Sequence, residues 1–353
     1  MVNGKKRGIE IGTVRVRAKD LSSWEKTCRG WKKSKADFPE LAGVCKLFKK
    51  HGRFDLLVDN KNIVFLSGMV SSDGKCVGTR INILPDGRVL DRAYSLFSKN
   101  LAIHDESSNT HWDVIYQNPN GQFAYCYTLD KKILASRKKY DEVREFEKRY
   151  EVLERNALKA LKDEKDFIAI PLYILLKTYM RVGNEIYYNA NKHEGLTTMK
   201  KKDIQIKGNY VEFNYIGKDG VPISISEKFP DIFIKRLKKL YKMKKSDDFM
   251  FTNSGGHLLK DANFKEAFKR YCGKEFYPHI VRSFFATEQA KKFLKEHKRA
   301  DKKEIKEFFN FLAEKLGHKK FDKKSNEWKD SYNVTVHYYI QPELVEKIKR
   351  ISL

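Results

Sequence analysis

The 353-residue sequence predicts an α+β protein in two parts: a β-rich segment over residues 1–128, then a larger, mainly α-helical segment over 129–353 that carries a small β-hairpin sheet. Three observations predict it. Up to Tyr127, apolar residues alternate with period two between turn signals. Beyond it they recur at helical spacing. One β-branched excursion, near residues 204–225, interrupts the helices.

The elements follow in order. Ile9-Glu10-Ile11-Gly12-Thr13-Val14-Arg15-Val16 alternates as a strand does, and 37–51 has helical spacing. Residues 54–58 and 63–66 flank Asp59-Asn60-Lys61-Asn62 and read as a hairpin. Asp73-Gly74, Pro85-Asp86-Gly87 and Asn118-Pro119-Asn120-Gly121 mark later turns. In the second part, 136–162 is amphipathic, with Val143, Phe146, Tyr150, Leu153 and Ala157 on one face. Residues 167–188 read as one buried helix with Pro171 in its first turns, where a missing N–H costs little. Strands at 204–206, 210–216 and 221–225 turn at Lys207-Gly208-Asn209 and Lys218-Asp219-Gly220. Helices resume at 231–242, 261–271, 282–296 and 302–316, and a short basic helix is expected over 342–351. The polar stretch 319–333 reads as a flexible loop. No internal repeat is present.

Composition narrows the partners. The chain holds 72 Lys+Arg against 46 Asp+Glu, a net charge of +26, and 41% hydrophobic residues, ordinary for a folded protein. The excess is spread along the chain, at +8 over 1–128 and +18 over the remainder. A polyanion bound through its phosphates accounts for such a surface; so does a solvated lysine-rich exterior. Cys28, Cys45, Cys76, Cys126 and Cys272 are scattered, and none forms a C-x-x-C pair, so neither zinc nor a disulfide framework is expected. That usage suits a reducing interior. Met1-Val2-Asn3-Gly4-Lys5-Lys6 is not followed by an apolar core, so no signal peptide is expected, and no apolar run reaches the ~20 residues of a membrane helix.

Chemistry concentrates around Val334-Thr335-Val336-His337-Tyr338-Tyr339-Ile340-Gln341-Pro342. A tyrosine there can act as a covalent nucleophile on phosphorus. Upstream stand Arg181, Lys218, His279, Arg282 and His318. Attack on a phosphodiester builds charge on two non-bridging oxygens, which planar guanidinium groups match, so Arg181 and Arg282 suit that role. Lys218, at a hairpin tip, suits proton donation to a leaving alkoxide. His279 precedes Arg282 by one helical turn, and His318 suits a hydrogen bond to a phosphate oxygen. Taken singly, each has a plain structural reading: an ion pair from Arg181 to Glu185 or Glu194, a solvated turn lysine, a capping histidine, a packed tyrosine.

Together, Arg181-Val182-Gly183-Asn184-Glu185, Gly195-Leu196-Thr197-Thr198, Tyr215-Ile216-Gly217-Lys218-Asp219-Gly220, Arg282, Gly317-His318 and Tyr339-Ile340-Gln341-Pro342 resemble the small poxviral and bacterial type IB DNA topoisomerases over roughly residues 110–350. The resemblance implies a β-rich domain and a helical catalytic domain clamped, as a monomer, around duplex DNA. It implies Arg181, Lys218, Arg282 and His318 acting on the phosphate while Tyr339 forms a 3′-phosphotyrosyl bond, followed by strand rotation and religation without ATP, cofactor or metal. DNA contacts are implied for Tyr125, Tyr127, Lys138, Lys139 and His279; Asn120-Gly121-Gln122-Phe123-Ala124-Tyr125-Cys126-Tyr127 is similar to a strand of the family. The expected location is intracellular and DNA-associated, with no membrane partner. Two departures stand out. His279-x-x-Arg282 is similar to tyrosine recombinases, which perform site-specific strand exchange with the same residues. The 21 residues from His318 to Tyr339 form a longer interval than is usual in either family, leaving Tyr338 and Tyr332 as alternative nucleophiles.

Overall fold

Helix α1 (Pro39–Lys50) shows how the first segment is built. Pro39 starts the helix where its missing N–H is no loss. Leu41, Val44, Cys45 and Phe48 then bury one face against the strands, and Lys49 and Lys50 complement the C-terminal dipole. The computed structural model describes residues 9–104 and 111–352, so the stretch 1–6 read for a leader lies outside the described residues. The chain divides into two units, Met1–Lys138 and Lys139–Leu353.

In the first unit, β1 (Val14–Val16), β2 (Ser23–Thr27), β3 (Gly30–Lys33), β4 (Met69–Val70) and β5 (Cys76–Val77) form an antiparallel sheet in the order β3-β2-β1-β4-β5. Strands β6 (Ile81–Ile83) and β7 (Val89–Tyr94) pair with each other, and β8 (Lys99–Ile103), β9 (Val114–Gln117) and β10 (Phe123–Cys126) form a third sheet in the order β10-β9-β8. Their common core includes Val16, Phe48, Leu57, Leu66, Tyr94 and Val114.

Two expectations need correction here. Of the alternating run 9–16 only Val14–Val16 is strand, because Gly12, with φ +85°, turns the chain first. The hairpin expected around Asp59 is a 3-10 turn at Phe54–Leu57 with a single bridge, Val58 to Leu66. Buried Arg15 explains it. Its guanidinium donates to the Asp59 carboxylate and, at 3.1 Å, to the Leu66 carbonyl, so a tertiary contact sets the local path.

The second unit is mainly helical. Helix α2 (Leu129–Ala160) buries Tyr140, Val143, Phe146, Leu153 and Ala157. Then come α3 (Ala169–Thr178) and α4 (Glu185–Asn191), followed by the antiparallel strands β11 (Ile204–Lys207), β12 (Tyr210–Ile216) and β13 (Pro222–Lys228). Helices α5 (Asp231–Lys242), α6 (Asp261–Cys272), α7 (Ile280–Glu296) and α8 (Lys302–Lys315) precede a hairpin of β14 (Lys319–Asp322) and β15 (Glu327–Asp330); α9 (Asn333–Tyr338) and α10 (Pro342–Arg350) close the chain. One core joins α2, α3, the sheet, α5 and α6; a second joins α7, α8 and α10 with Tyr339 and Ile340. Helix α7 belongs to both, with Val281 in the first and Phe285 in the second. Arg282 therefore lies at their seam.

Two further corrections concern the site. The single helix expected over 167–188 is broken. Helix α3, apolar on every side, ends at Tyr179 in a left-handed cap (φ 55°), and α4 begins only at Glu185. The loop expected over 319–333 is largely an ordered hairpin. Asn326 turns it with φ 54°, Phe321 and Trp328 pair across it with ring centroids 5.3 Å apart, and Lys329 binds Asp322.

Candidate active site

Arg181 stands in the break between α3 and α4, and its placement depends on two glycines. Its carbonyl accepts from Leu196 N at 2.9 Å, and the Val182 carbonyl accepts from Thr197 N at 2.7 Å, zipping the segment to Gly195-Leu196-Thr197-Thr198. Gly183 has φ +93°, and a Cβ on Gly195 would lie 2.6 Å from the Gly183 Cα and 2.9 Å from the Arg181 carbonyl oxygen. Only glycine fits at either position. Asn184 then caps α4 by accepting from the Ile186 and Tyr187 N–H groups. The Arg181 side chain forms no ion pair among the described residues, so the reading of a bridge to Glu185 or Glu194 is not realised.

Arg282, in the first turns of α7, is 2% exposed. Its guanidinium donates at 2.6 Å to the Tyr179 carbonyl and at 2.6 Å to the Leu316 carbonyl, the C-terminal caps of α3 and α8. These are acceptors that a helix cannot satisfy internally and that carry its negative pole. Burial lowers the Arg282 pKa to about 10, which leaves it charged at neutral pH. Its buried Nε has no hydrogen-bond partner among the described residues. A buried N–H of this kind is costly unless an anion receives it.

His318 follows α8. Its Nε2 lies 3.1 Å from an Arg282 Nη2, and its Nδ1 lies 2.7 Å from the Thr335 hydroxyl. A guanidinium can only donate, so Nε2 accepts and Nδ1–H donates to Thr335. The ring is neutral in this arrangement. Burial, with Arg282 and Arg181 nearby, depresses its pKa to about 3.

Tyr339 caps α9, 4% exposed, anchored in the second core of its unit. Its hydroxyl lies 2.8 Å from His279 Nε2, with a longer 3.4 Å contact from Arg181 Nη2. The Arg282 guanidinium sits 5.2 Å from the ring centroid. Helix α2 pins the carbonyls on either side: Lys139 donates to Tyr338 O, and the Tyr140 hydroxyl donates to Ile340 O at 2.6 Å. Tyr338 is 52% exposed, and Tyr332 packs on Phe309. Of the three tyrosines, Tyr339 alone meets the arginine–histidine cluster.

The remaining expected residues fall in different places. Arg181, Arg282, His318 and Lys218 line a cleft of about 1170 Å³. Lys218 is exposed at the β12–β13 turn. His279, expected as a DNA contact, is hydrogen-bonded to Tyr339; burial first, then Arg282 and Arg181, bring its pKa to about 3. Lys139, also expected to touch DNA, has its ammonium 5.4 Å from the Tyr339 ring centre, and burial lowers its pKa to about 8. Lys138 is exposed. In the first unit Tyr125 is 43% exposed on β10, and Tyr127 is half-buried, its N–H donating to Asp91. Thr335 and Tyr140 were not legible as site residues. A threonine in a β-branched run and a tyrosine on an amphipathic helix carry no mark of the atoms they bind. Among the described residues no group of three His, Cys, Asp or Glu side chains could hold a metal ion, and no helix is long and apolar enough to cross a membrane.

Comparison with known proteins gives a family. The family model for the catalytic core of eukaryotic DNA topoisomerase I matches residues 130–337, more than half of the chain, ending two residues before Tyr339. DNA topoisomerase 1B of Acanthamoeba polyphaga mimivirus is 23% identical over 193 residues, covering 51% of this chain and 57% of the relative. The matched region thus spans little more than half the length of that relative. Among solved structures, the XerH site-specific recombinase bound to difH substrate in a pre-cleavage complex is 16% identical with a TM-score of 0.31, covering 46% of this chain and 44% of its own. Its post-cleavage complex on palindromic difH is 18% identical with a TM-score of 0.32, covering 48% of each chain. The family match places the chain: it belongs to the DNA topoisomerase I catalytic-core family, the type IB topoisomerases.

Proposed function

We propose that this enzyme relaxes supercoiled duplex DNA by transient single-strand cleavage. The observation that carries the reading is the Tyr339 hydroxyl, held 2.8 Å from His279 Nε2 beside Arg181, Arg282 and His318. The Tyr339 oxygen attacks phosphorus, the bond to the 5′-oxygen breaks, and a 3′-phosphotyrosyl bond forms. The phenolic proton passes to His279, which accepts it once the negative phosphate offsets the Arg282 and Arg181 charges that, with burial, depress its pKa in the free protein, and returns it when the strand is rejoined. Arg181 and Arg282 stabilise the charge on the non-bridging oxygens, one of which takes the orphaned Arg282 Nε–H. Lys218 gives a proton to the departing 5′-oxygen, since the Arg282 guanidinium is committed to two backbone carbonyls and the phosphate whereas the Lys218 ammonium forms no hydrogen bond or ion pair among the described residues. His318 joins through Nε2 once Arg282 turns to the phosphate; the Thr335 hydroxyl, able to donate or accept, then holds the other ring nitrogen.

The tyrosyl phosphodiester conserves the energy of the bond it replaces, so the free 5′-hydroxyl strand rotates and is rejoined without ATP. The +26 charge supports binding along the duplex backbone, with the first unit contributing Tyr125 and Tyr127 and the whole acting as a monomeric clamp. Relaxation of a supercoiled plasmid with EDTA present and ATP absent tests the reading. Both positively and negatively supercoiled plasmids should relax. Unchanged topology with DNA binding confirmed would contradict it. The histidine of His279-x-x-Arg282 favours strand exchange as the second reading, which linkers swapped between two duplexes would reveal.

A further inference from the structure

The hairpin β14–β15 is inserted between two residues of the site, His318 and Tyr339, and it reaches a third. The backbone of the turn that carries Lys218 is closed by the Gly217 N–H donating to the Val221 carbonyl at 2.8 Å and the Gly220 N–H donating to the Gly217 carbonyl at 3.1 Å, so it is the lysine side chain that lacks an anchor. Asp219 and Gly220 are both left-handed, with φ of 63° and 78°, and the Val221 N–H reaches the Lys218 carbonyl only at 3.5 Å. The Lys218 ammonium forms no hydrogen bond or ion pair among the described residues. Nothing within the turn therefore fixes where it points.

Two neighbours lie near that turn. A Cβ built on Gly220 would lie 3.9 Å from His193 Nε2 and 4.0 Å from Trp328 Cζ2. Trp328 belongs to β15, is half-buried, and is steadied by Phe321 across the hairpin. The base of the hairpin is keyed to the same sheet. A Cβ on Gly317, whose φ is +64°, would lie 2.6 Å from Ile223 Cδ1 of β13, so the chain at the hairpin base packs directly on that side chain. Lys319 and Lys320 of the hairpin line the same cleft as Lys218. The insertion thus packs against β13 at its base and brings one indole beside Gly220 of the Lys218 turn.

We propose that Trp328 is a positioning residue for Lys218: the inserted hairpin braces the β12–β13 turn so that the ammonium faces the cleft. This rests on the reading of Lys218 as the proton donor to the 5′-oxygen. An indole removed from the turn leaves Lys218 present but misplaced, and a misplacement of about 1 Å costs on the order of 10²-fold in rate.

The test is single-turnover cleavage of a duplex bearing either the natural 5′-oxygen or a bridging 5′-sulfur, which leaves without a proton. Lys218→Ala should cleave the oxygen substrate about 10²–10⁴-fold slowly and recover on sulfur. Trp328→Ala should cleave the oxygen substrate roughly 10–10²-fold slowly, bind the duplex as wild type does, and recover on sulfur as Lys218→Ala does. Trp328→Thr, which keeps strand propensity, replaces it should the alanine variant misfold. Wild-type cleavage of the oxygen substrate by the Trp328 variant overturns the brace. So does a slow variant that sulfur fails to rescue while it rescues Lys218→Ala. Failure of sulfur to rescue Lys218→Ala overturns both the brace and the proton-donor role beneath it.

Discussion

At the scale of single residues, buried His318 and half-buried His279 make the site sensitive to acid. His279 and His318 both have pKa values near 3, depressed chiefly by burial and then by Arg282 and Arg181, against about 6.5 in an unfolded chain. Between those values the unfolded chain binds protons that the folded one refuses. Each histidine's contribution is therefore complete above pH 6.5 and declines as pH falls toward 3, by up to about 1.4 kcal/mol per pH unit. Denaturation at pH 8 and pH 5 should show wild type losing about 2 kcal/mol more than His318→Asn over that interval; equal losses would mean His318 is not held neutral. Arg181, Arg282, His318 and Tyr339 were singled out in the sequence by their order, with Gly183 and Gly317 near two of them, and the fold brings the four together. His279 was legible only as a basic residue near Arg282, since its bond to Tyr339 depends on how α7 meets the α9 cap.

At the scale of elements, the break between α3 and α4 is the feature on which the arginine depends. The apolar run up to Thr178 continued past any obvious breaker, so the left-handed turn at Tyr179 was hidden. That turn frees the Tyr179 carbonyl for Arg282. Gly183 and Gly195 seal the break by direct backbone contact. Gly195→Ala should drive a Cβ into the Gly183 Cα, cost on the order of 1–3 kcal/mol as overpacking does, and slow cleavage by displacing Arg181. Wild-type cleavage and stability in that variant would mean the loop relaxes freely. The hairpin β14–β15 escaped the sequence for the opposite reason. Its five lysines give the composition of a solvated loop, while the pair that orders it, Phe321 and Trp328, is separated by six residues and meets only once Asn326 turns.

At the scale of the whole molecule, the change of period near residue 128 in the sequence parallels the change from sheets to helices, and the positive charge is shared by both segments. Charge of that kind positions a protein on any duplex and specifies no chemistry. The proposed chemistry lies in the second unit, where two core clusters meet at α7 and hold Arg282 against the carbonyl ends of α3 and α8. The central claim is that Tyr339 becomes joined to DNA there. Trapping the covalent complex on a cleavable duplex, digesting it with trypsin and fragmenting the peptide that holds Tyr332, Tyr338 and Tyr339 reads the attachment directly. The account predicts a 3′-phosphate on Tyr339 and no adduct with Tyr339→Phe. Attachment to Tyr338 or Tyr332, or a persistent adduct in the Tyr339→Phe variant, would contradict it.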